Sequence, residues 1–441
     1  MKNVLVLGAG LVTRPLVKYL LEQPEIRLKV ASRTVSKAEN LIQNHPKGEA
    51  QQLNVENNDA LKKAIKESDV VISLLPWIHH LKVAKLCLEL SRHMVTTSYV
   101  KPEMMALDAE AKRKGLSFLN ELGVDPGIDH MSAMQIIHSV QNSGGEIVSF
   151  RSYCGGLPAP EANTNPLGYK FSWSPLGVIL AAKNSGRYLH NGEIVEVPSE
   201  KLFEHYWFVN VPEGGIFEAY VNRDAIPYID LYNIHSTKTM YRGTLRNISH
   251  CEAWRNFIKL NLGDQDKEFD FKGYTYKKLL AKLIGGDASQ LKASVMKALN
   301  CPEYSLTIKK LEWLGLMSDQ PIPIERGTAI DVFSHVLQEK LYYEKGERDM
   351  IALHHEFFAE WGEENRKEMI TSTMVDFGIP GGDTAMARTV GLPAAVATKL
   401  LVQGKITLTG VHIPVDPMIY VPVLSELESM DIKCVDRRYE N

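Results

Sequence analysis

The chain has 441 residues, 44% hydrophobic and 23% charged, which is too long for one core of ordinary size and predicts two or three folded domains. Its 50 basic and 53 acidic side chains nearly cancel, so the broad positive field needed for nucleic-acid or anionic-membrane binding is missing and a small-molecule substrate is the expected partner. Five scattered cysteines (Cys87, Cys154, Cys251, Cys301 and Cys434) form neither a CxxC pair nor a disulfide framework, and no apolar run approaches the roughly 20 residues of a membrane span; with no secretory leader pattern after Met1, a soluble cytoplasmic protein is expected.

From residue 1 to about 125, short β-branched runs alternate with amphipathic helical stretches, the pattern of βαβ units in a doubly wound parallel sheet. The predicted strands are Asn3 to Leu7, Leu28 to Ala31, Val70 to Leu75, Met94 to Thr97 and Ser117 to Leu119, with a weaker one near Gln51 to Val55. Beyond Gly127 the regularity stops. Short strands such as Ile147 to Cys154 and a Gly, Pro and Asn-rich stretch predict a mixed α+β region. Residues 252 to about 345 read as helical, including Tyr276 to Ile284 and Leu291 to Leu299. A small-residue helix is predicted from Thr384 to Leu401, and a last strand from Asp431 to Val435. No internal repeat or low-complexity tract is present.

The first strand feeds into Gly8-Ala9-Gly10-Leu11-Val12-Thr13 and then a helix. Backbone N–H groups and the helix dipole at such a turn make a phosphate cradle. A GxG alone is weak; its place at the head of a run of βαβ units points to a dinucleotide. Thr13 stands at the third glycine position, where close packing of helix on strand asks for Gly or Ala, so a variant turn is expected. At the end of the second strand the chain reads Ser32-Arg33-Thr34, followed by Lys37, with no carboxylate to grip a ribose 2′-hydroxyl. Arg33 and Lys37 can instead neutralise a 2′-phosphate, with Ser32 and Thr34 donating to its oxygens. The bland alternative is a solvated arginine opening the next helix.

Ligands of open α/β sheets lie beyond the carboxyl ends of the strands. Three segments end there: Leu74-Leu75-Pro76, Thr97-Ser98-Tyr99 and Glu121 to Gly127. Pro76 and the Gly/Pro-rich turn allow close approach of a nicotinamide, and Tyr99 and Asp125 are the titratable groups placed for acid–base work on an amine. Their structural alternatives are an aromatic capping a strand and a turn residue before Pro-Gly. Metal binding by His79-His80 or His354-His355-Glu356 is not expected, because adjacent histidines on a strand face opposite sides and no ligand cluster surrounds them.

VTTSYV (Val95 to Val100), ELGVDPGIDHM (Glu121 to Met131), SYCGGLPAPE (Ser152 to Glu161), NPLGYKFSWSP (Asn165 to Pro175), VNRD (Val221 to Asp224), RGTLR (Arg242 to Arg246) and AMARTVGLPAA (Ala385 to Ala395) together resemble the L-glutamate-forming saccharopine dehydrogenases, over essentially the whole chain. The resemblance is to the fungal enzymes and to the C-terminal half of the animal bifunctional lysine-degrading enzyme. It implies a Rossmann NADP-binding domain (1–126 and 392–441), an inserted mixed α/β substrate domain (127–251 and 346–391) and a small helical domain (252–345). By the same resemblance, NADP(H) contacts fall on Gly8 to Thr13, Arg33, Lys37, Leu75, Thr97, Ser98 and Val124. Substrate contacts fall on Ser98, Tyr99, Asp125, Ser174, Arg223, Thr244, Leu245 and Arg246, and acid–base roles on Tyr99, Asp125 and Cys154. Cys154 is equally readable as simple packing. Ser32-Arg33-Thr34 looks like the fungal NADP version.

The implied reaction, in lysine metabolism, is oxidation of saccharopine's secondary amine by hydride transfer to NADP+, giving an imine that water splits into glutamate and aminoadipate semialdehyde. Lacking the other half of the animal polypeptide, the chain is expected to catalyse this one step, and a homodimer is left open. Two rivals remain: a carboxynorspermidine dehydrogenase-like reductive amination of a diamine, which would not need arginines aimed at carboxylates, and a non-catalytic NADP-binding sensor, against which Tyr99, Asp125 and Arg246 argue.

Overall fold

The computed structural model describes residues 1–173, 177–179, 183–362 and 364–440. The chain forms two compact units, one of residues 1–148, 230–236 and 355–441, the other of 149–229 and 237–354.

The first unit is built on strands β1 (Lys2–Leu7), β2 (Ile26–Ser32), β3 (Gly48–Gln52), β4 (Val70–Ser73), β5 (His93–Thr96) and β6 (Ser117–Leu119), joined by the short strand Gly410–His412. Their order is Gly410–His412, β6, β5, β4, β1, β2, β3, with every pair parallel. A parallel sheet is covered by helices on both faces, so its strands are apolar runs without alternation. All four residues of β4 and the last four of β1 are buried accordingly. The expected doubly wound sheet is therefore present, and its order reverses between β1 and β4, the switch point beyond whose carboxyl ends ligands of such sheets bind.

Two strand expectations need correction, and one strand was missed. β3 ends at Gln52, before most of the predicted Gln51–Val55 run, because Leu53 and Val55 bury their side chains just past the pairing. Gly410–His412 was not foreseen, since three residues carry no readable period. The last strand, expected from Asp431 to Val435, begins only at Val435 and runs to Glu440, antiparallel to Arg366–Phe377, with Ile432 buried ahead of it.

Helix α1 (Thr13–Glu22) follows the glycine turn. The helix Ala385–Val402 begins after Thr384, whose hydroxyl accepts the Ala387 N–H. It is long and apolar enough to cross a membrane, but most of it is buried within the protein. Its Gly391 lets it approach the start of α1: a Cβ there would sit 2.7 Å from the Val12 carbonyl oxygen.

In the second unit, β7 (Glu146–Pro158, of which 149–158 lie here), β8 (Gly186–His190), β9 (Glu193–Val197), β10 (Tyr206–Val211), β11 (Gly215–Val221) and β12 (Thr239–Arg246) make a mixed sheet. β11 runs antiparallel to its neighbours β10 and β12, β12 pairs β7 in parallel, and β8 with β9 extends from β12. The predicted helical stretch is present, with helices at His250–Lys259, Tyr276–Leu283, Leu291–Leu299, Leu306–Leu314 and Ala329–Lys340, all inside this unit.

Candidate active site

The glycine turn sits at the sheet's switch point. Gly8 has φ +114°, and a Cβ there would stand 2.9 Å from the Leu74 carbonyl oxygen, so β4's end and the turn are in direct contact. Nothing lies within 4 Å of a Cβ placed on Gly10, which leaves the turn open. The variant expected from Thr13 takes a definite form. Thr13 is wholly buried, and its Oγ1 accepts the Gly10 N–H at 3.1 Å. That amide is thus withdrawn from the phosphate cradle, while the N–H groups of Ala9, Leu11 and Val12 make no backbone hydrogen bond among the described residues. A separate close approach, of the helix Ala385–Val402 to the start of α1, is made possible by Gly391.

At the end of β2, Arg33, Thr34 and Lys37 are exposed and Ser32 half-buried. The Ser32 hydroxyl accepts the Thr34 N–H at 3.3 Å, and the Arg33 carbonyl accepts from Gln52 Nε2 at 3.3 Å. Neither Arg33 nor Lys37 forms an ion pair among the described residues, so two cations stand at this strand end without a carboxylate. This suits a doubly charged phosphate ester better than a bare ribose diol.

Beyond β4, β5 and β6 lie the other first-unit residues read from the sequence. Leu75 is half-buried against the apolar core and Pro76 exposed; Thr97, Ser98 and Tyr99 are half-buried; Val124 is buried and Asp125 half-buried. The Tyr99 hydroxyl donates to Asp125 Oδ1 at 2.8 Å. Two candidates proposed separately are therefore one hydrogen-bonded couple at the carboxyl edge.

Behind this couple lie residues the sequence reading missed. His80, buried, meets Ser73 Oγ through Nδ1 at 2.9 Å and Ser98 Oγ through Nε2 at 2.8 Å. Burial, with a smaller contribution from neighbouring His79, pulls its pKa down to about 4, so the ring is neutral at physiological pH. The strand assumed for His79-His80 is absent: His79 closes a short 3₁₀ turn and His80 opens the helix His80–Leu90. Among the described residues no group of three potential metal ligands occurs. The only sequence signal for His80 was its spacing after an apolar strand, which a surface histidine shares.

In the second unit, Cys154 lies on β7 opposite Thr244 of β12, and Leu245 and Arg246 complete that strand. Cys154 is 7% exposed, as is Arg246. Arg246 Nη1 donates to the Leu245 carbonyl at 2.8 Å, its guanidinium lies 5.1 Å from the Tyr169 ring centre, and its Nε has no hydrogen-bond partner. Glu218 faces it in register from the adjacent strand β11, yet both Glu218 oxygens are taken by the N–H groups of Ser249 and Cys251 at the start of the helix His250–Lys259. No carboxylate pairs with Arg246 among the described residues. Arg223, in contrast, is exposed, just past β11, with φ +61°. Asp224, next to Arg223 in the chain, pairs with Arg187 at 3.4 Å rather than with Arg246. Ser174 lies outside the described residues.

A glycine turn at the switch point, unpaired cations after β2 and an acid–base couple on the same sheet edge are the property of one class, the Rossmann-type oxidoreductases that work with a nicotinamide dinucleotide. The chain belongs to the saccharopine dehydrogenase family: residues 4–119 match the saccharopine dehydrogenase NADP binding domain and residues 123–432 the saccharopine dehydrogenase C-terminal domain. It is 38% identical to the saccharopine dehydrogenase [NADP(+), L-glutamate-forming] of Schizosaccharomyces pombe, covering 98% of both chains. To the mitochondrial alpha-aminoadipic semialdehyde synthase of Bos taurus it is 37% identical, spanning 98% of this chain and 47% of that one. The apo saccharopine dehydrogenase (L-Glu forming) from Saccharomyces cerevisiae superposes with a TM-score of 0.91 at 37% identity, covering both chains fully. The homospermidine synthase of Legionella pneumophila, at TM-score 0.55 and 11% identity over 99% of this chain and 91% of that one, shares the fold.

Proposed function

We propose that this protein is an NADP-dependent oxidoreductase interconverting saccharopine with L-glutamate and L-2-aminoadipate 6-semialdehyde. The observation that carries the reading is the agreement, over nearly the whole of both chains, with dehydrogenases of that reaction. The geometry supplies parts the chemistry needs. The open turn at Gly8–Val12 receives the pyrophosphate, and Arg33 with Lys37 takes the 2′-phosphate. When bound, NADP(H) accepts a hydride from the carbon beside saccharopine's secondary amine, or returns one. Asp125 takes the proton leaving the amine, with Tyr99 orienting it through their 2.8 Å bond. The same couple delivers protons as water adds to the imine and the carbinolamine breaks down.

Saccharopine carries three carboxylates, and a buried guanidinium without an acidic partner is costly unless a ligand carboxylate completes it. Arg246 is such a group, with Arg223 and the Thr244-Leu245 backbone as further contacts. Cys154, buried beside Thr244, lines the same strand pair. Five cysteines, all free thiols, fit a reducing compartment, and we place the protein in the cytoplasm.

The test is direct: purified protein mixed with saccharopine and NADP+ should raise absorbance near ~340 nm, and glutamate, semialdehyde and NADPH should lower it. Faster turnover of a diamine adduct than of saccharopine would overturn the substrate assignment.

A further inference from the structure

Glu121 brackets Tyr99. Its N–H donates to the Ser98 carbonyl at 3.2 Å, and its Oε1 accepts the Val100 N–H at 2.8 Å, so both neighbours of Tyr99 are tied to one residue. Glu121 is 3% exposed and sits at φ +58°, a left-handed conformation that costs an L-residue about 1 kcal/mol. Its second oxygen lies 2.8 Å from Nε2 of His130, which is fully buried on the helix Ile128–Asn142. The Nδ1 of His130 lies 2.6 Å from the Tyr232 hydroxyl. Both carboxylate oxygens and both ring nitrogens therefore have partners. A strained backbone and a buried acid–histidine pair are expensive ways to fill a core, and packing alone would be served as well by apolar side chains.

What this arrangement does provide is a fixed backbone on either side of Tyr99, whose hydroxyl meets Asp125. We propose that Glu121, held by His130 and Tyr232, is a positioning residue for Tyr99: it fixes Ser98 and Val100 so that the Tyr99 hydroxyl keeps its bond to Asp125. His80 steadies the same segment through Ser98 Oγ. Glu121 reaches no substrate atom in this scheme and acts through Tyr99. The inference rests on the proposed dehydrogenase activity, because it needs the Tyr99–Asp125 couple in proton transfer.

The experiment compares kcat for saccharopine oxidation, KM for NADP+, the pH profile of kcat and thermal stability across four variants. Glu121→Ala removes the Val100 bond and should lower kcat by about 10- to 100-fold and displace the pH profile, with KM for NADP+ within about twofold of wild type. Glu121→Gln should recover most of the loss, because its carbonyl oxygen still accepts the Val100 N–H while its amide can face His130 Nε2. Tyr232→Phe deletes one hydroxyl and should cost kcat a few-fold; it gives the reading if Glu121→Ala does not fold. Ser132→Ala is the control, on the same helix, removing a buried hydroxyl 2.9 Å from His355 Nε2 without touching the bracket. It should lower stability and leave kcat unchanged. Wild-type kcat and pH profile in Glu121→Ala, or, should that variant not fold, in Tyr232→Phe, would overturn the proposal. So would a loss in Glu121→Gln equal to that in Glu121→Ala, or the same kcat loss in Ser132→Ala. Wild-type protein inert toward saccharopine would refute the activity itself, a result separate from any difference among variants.

Discussion

The carboxyl edge of the parallel sheet and the β12 strand of the mixed sheet handle polar groups in opposite ways. At the edge, Tyr99, Asp125, Ser98 and His80 are half-buried or buried, and each hydrogen-bonds a neighbour: Tyr99 to Asp125, His80 to both Ser73 and Ser98. On β12, Arg246 is buried in a regular strand with its Nε unsatisfied and, among the described residues, no carboxylate paired with it, its neighbour Glu218 being engaged by the Ser249 and Cys251 amides. Groups that pass protons need to be held at defined distances before substrate arrives, because a misplaced base loses rate steeply. A group that binds an anion gains when its partner is supplied by the ligand itself, since a resident carboxylate would compete for the site. Preorganisation at one place and deliberate incompleteness at the other are thus the expected signatures of chemistry and of recognition.

The largest effect should come from cutting the couple at the edge. Asp125→Asn should reduce kcat on the order of 100-fold or more while leaving KM for NADP(H) nearly unchanged. Steady-state kinetics with an intact kcat and pH profile would remove Asp125 from proton transfer and break the distinction drawn for the edge.

His80 sharpens the same side of the comparison through stability. Its pKa falls from 6.5 to about 4 on folding, so the unfolded chain binds the proton more readily between those values. Its contribution is complete above pH 6.5 and is lost as pH falls through 4, amounting to about 3 kcal/mol. Denaturant titrations from pH 7 to 4 should show a shallower loss in His80→Leu than in wild type. Parallel curves would mean the ring is not held neutral.

Arg33→Ala should lower kcat/KM for NADP(H) by about 10- to 100-fold, the loss of a charge-assisted bond of roughly 1.5 to 3 kcal/mol, and leave NAD(H) kinetics nearly untouched. A wild type that used both cofactors equally would show that the unpaired cations after β2 do not read the 2′-phosphate.

The smallest of these effects belongs to recognition. Arg246→Ala should raise KM for saccharopine and for glutamate on the order of 10-fold, with KM for NADP(H) little changed, and Arg246→Lys should rescue only part of it because lysine supplies charge without the bidentate fork. Unaltered saccharopine kinetics in the alanine variant would make the incomplete arginine a structural feature.

By itself the sequence determined the parallel sheet, the position of the glycine turn, the cationic end of β2 and the identity of Tyr99 and Asp125 as groups of interest, whereas Arg246 came only through the family resemblance. These are local signals: apolar runs for strands buried on both faces, a GxG between strand and helix, and polar residues placed just after a strand. Tertiary structure decided the relations among them. That Gly391, some 380 residues away in the chain, lets the helix Ala385–Val402 approach the start of α1 depends on a helix contact with no local signature. That Tyr99 bonds Asp125, that Glu121 ties down both neighbours of Tyr99, and that Glu218 is diverted from Arg246 to a helix N-terminus depend on side-chain directions set by strand register and loop conformation. A hydrogen bond is a matter of tenths of an ångström and tens of degrees, and those are fixed only when the whole chain has packed.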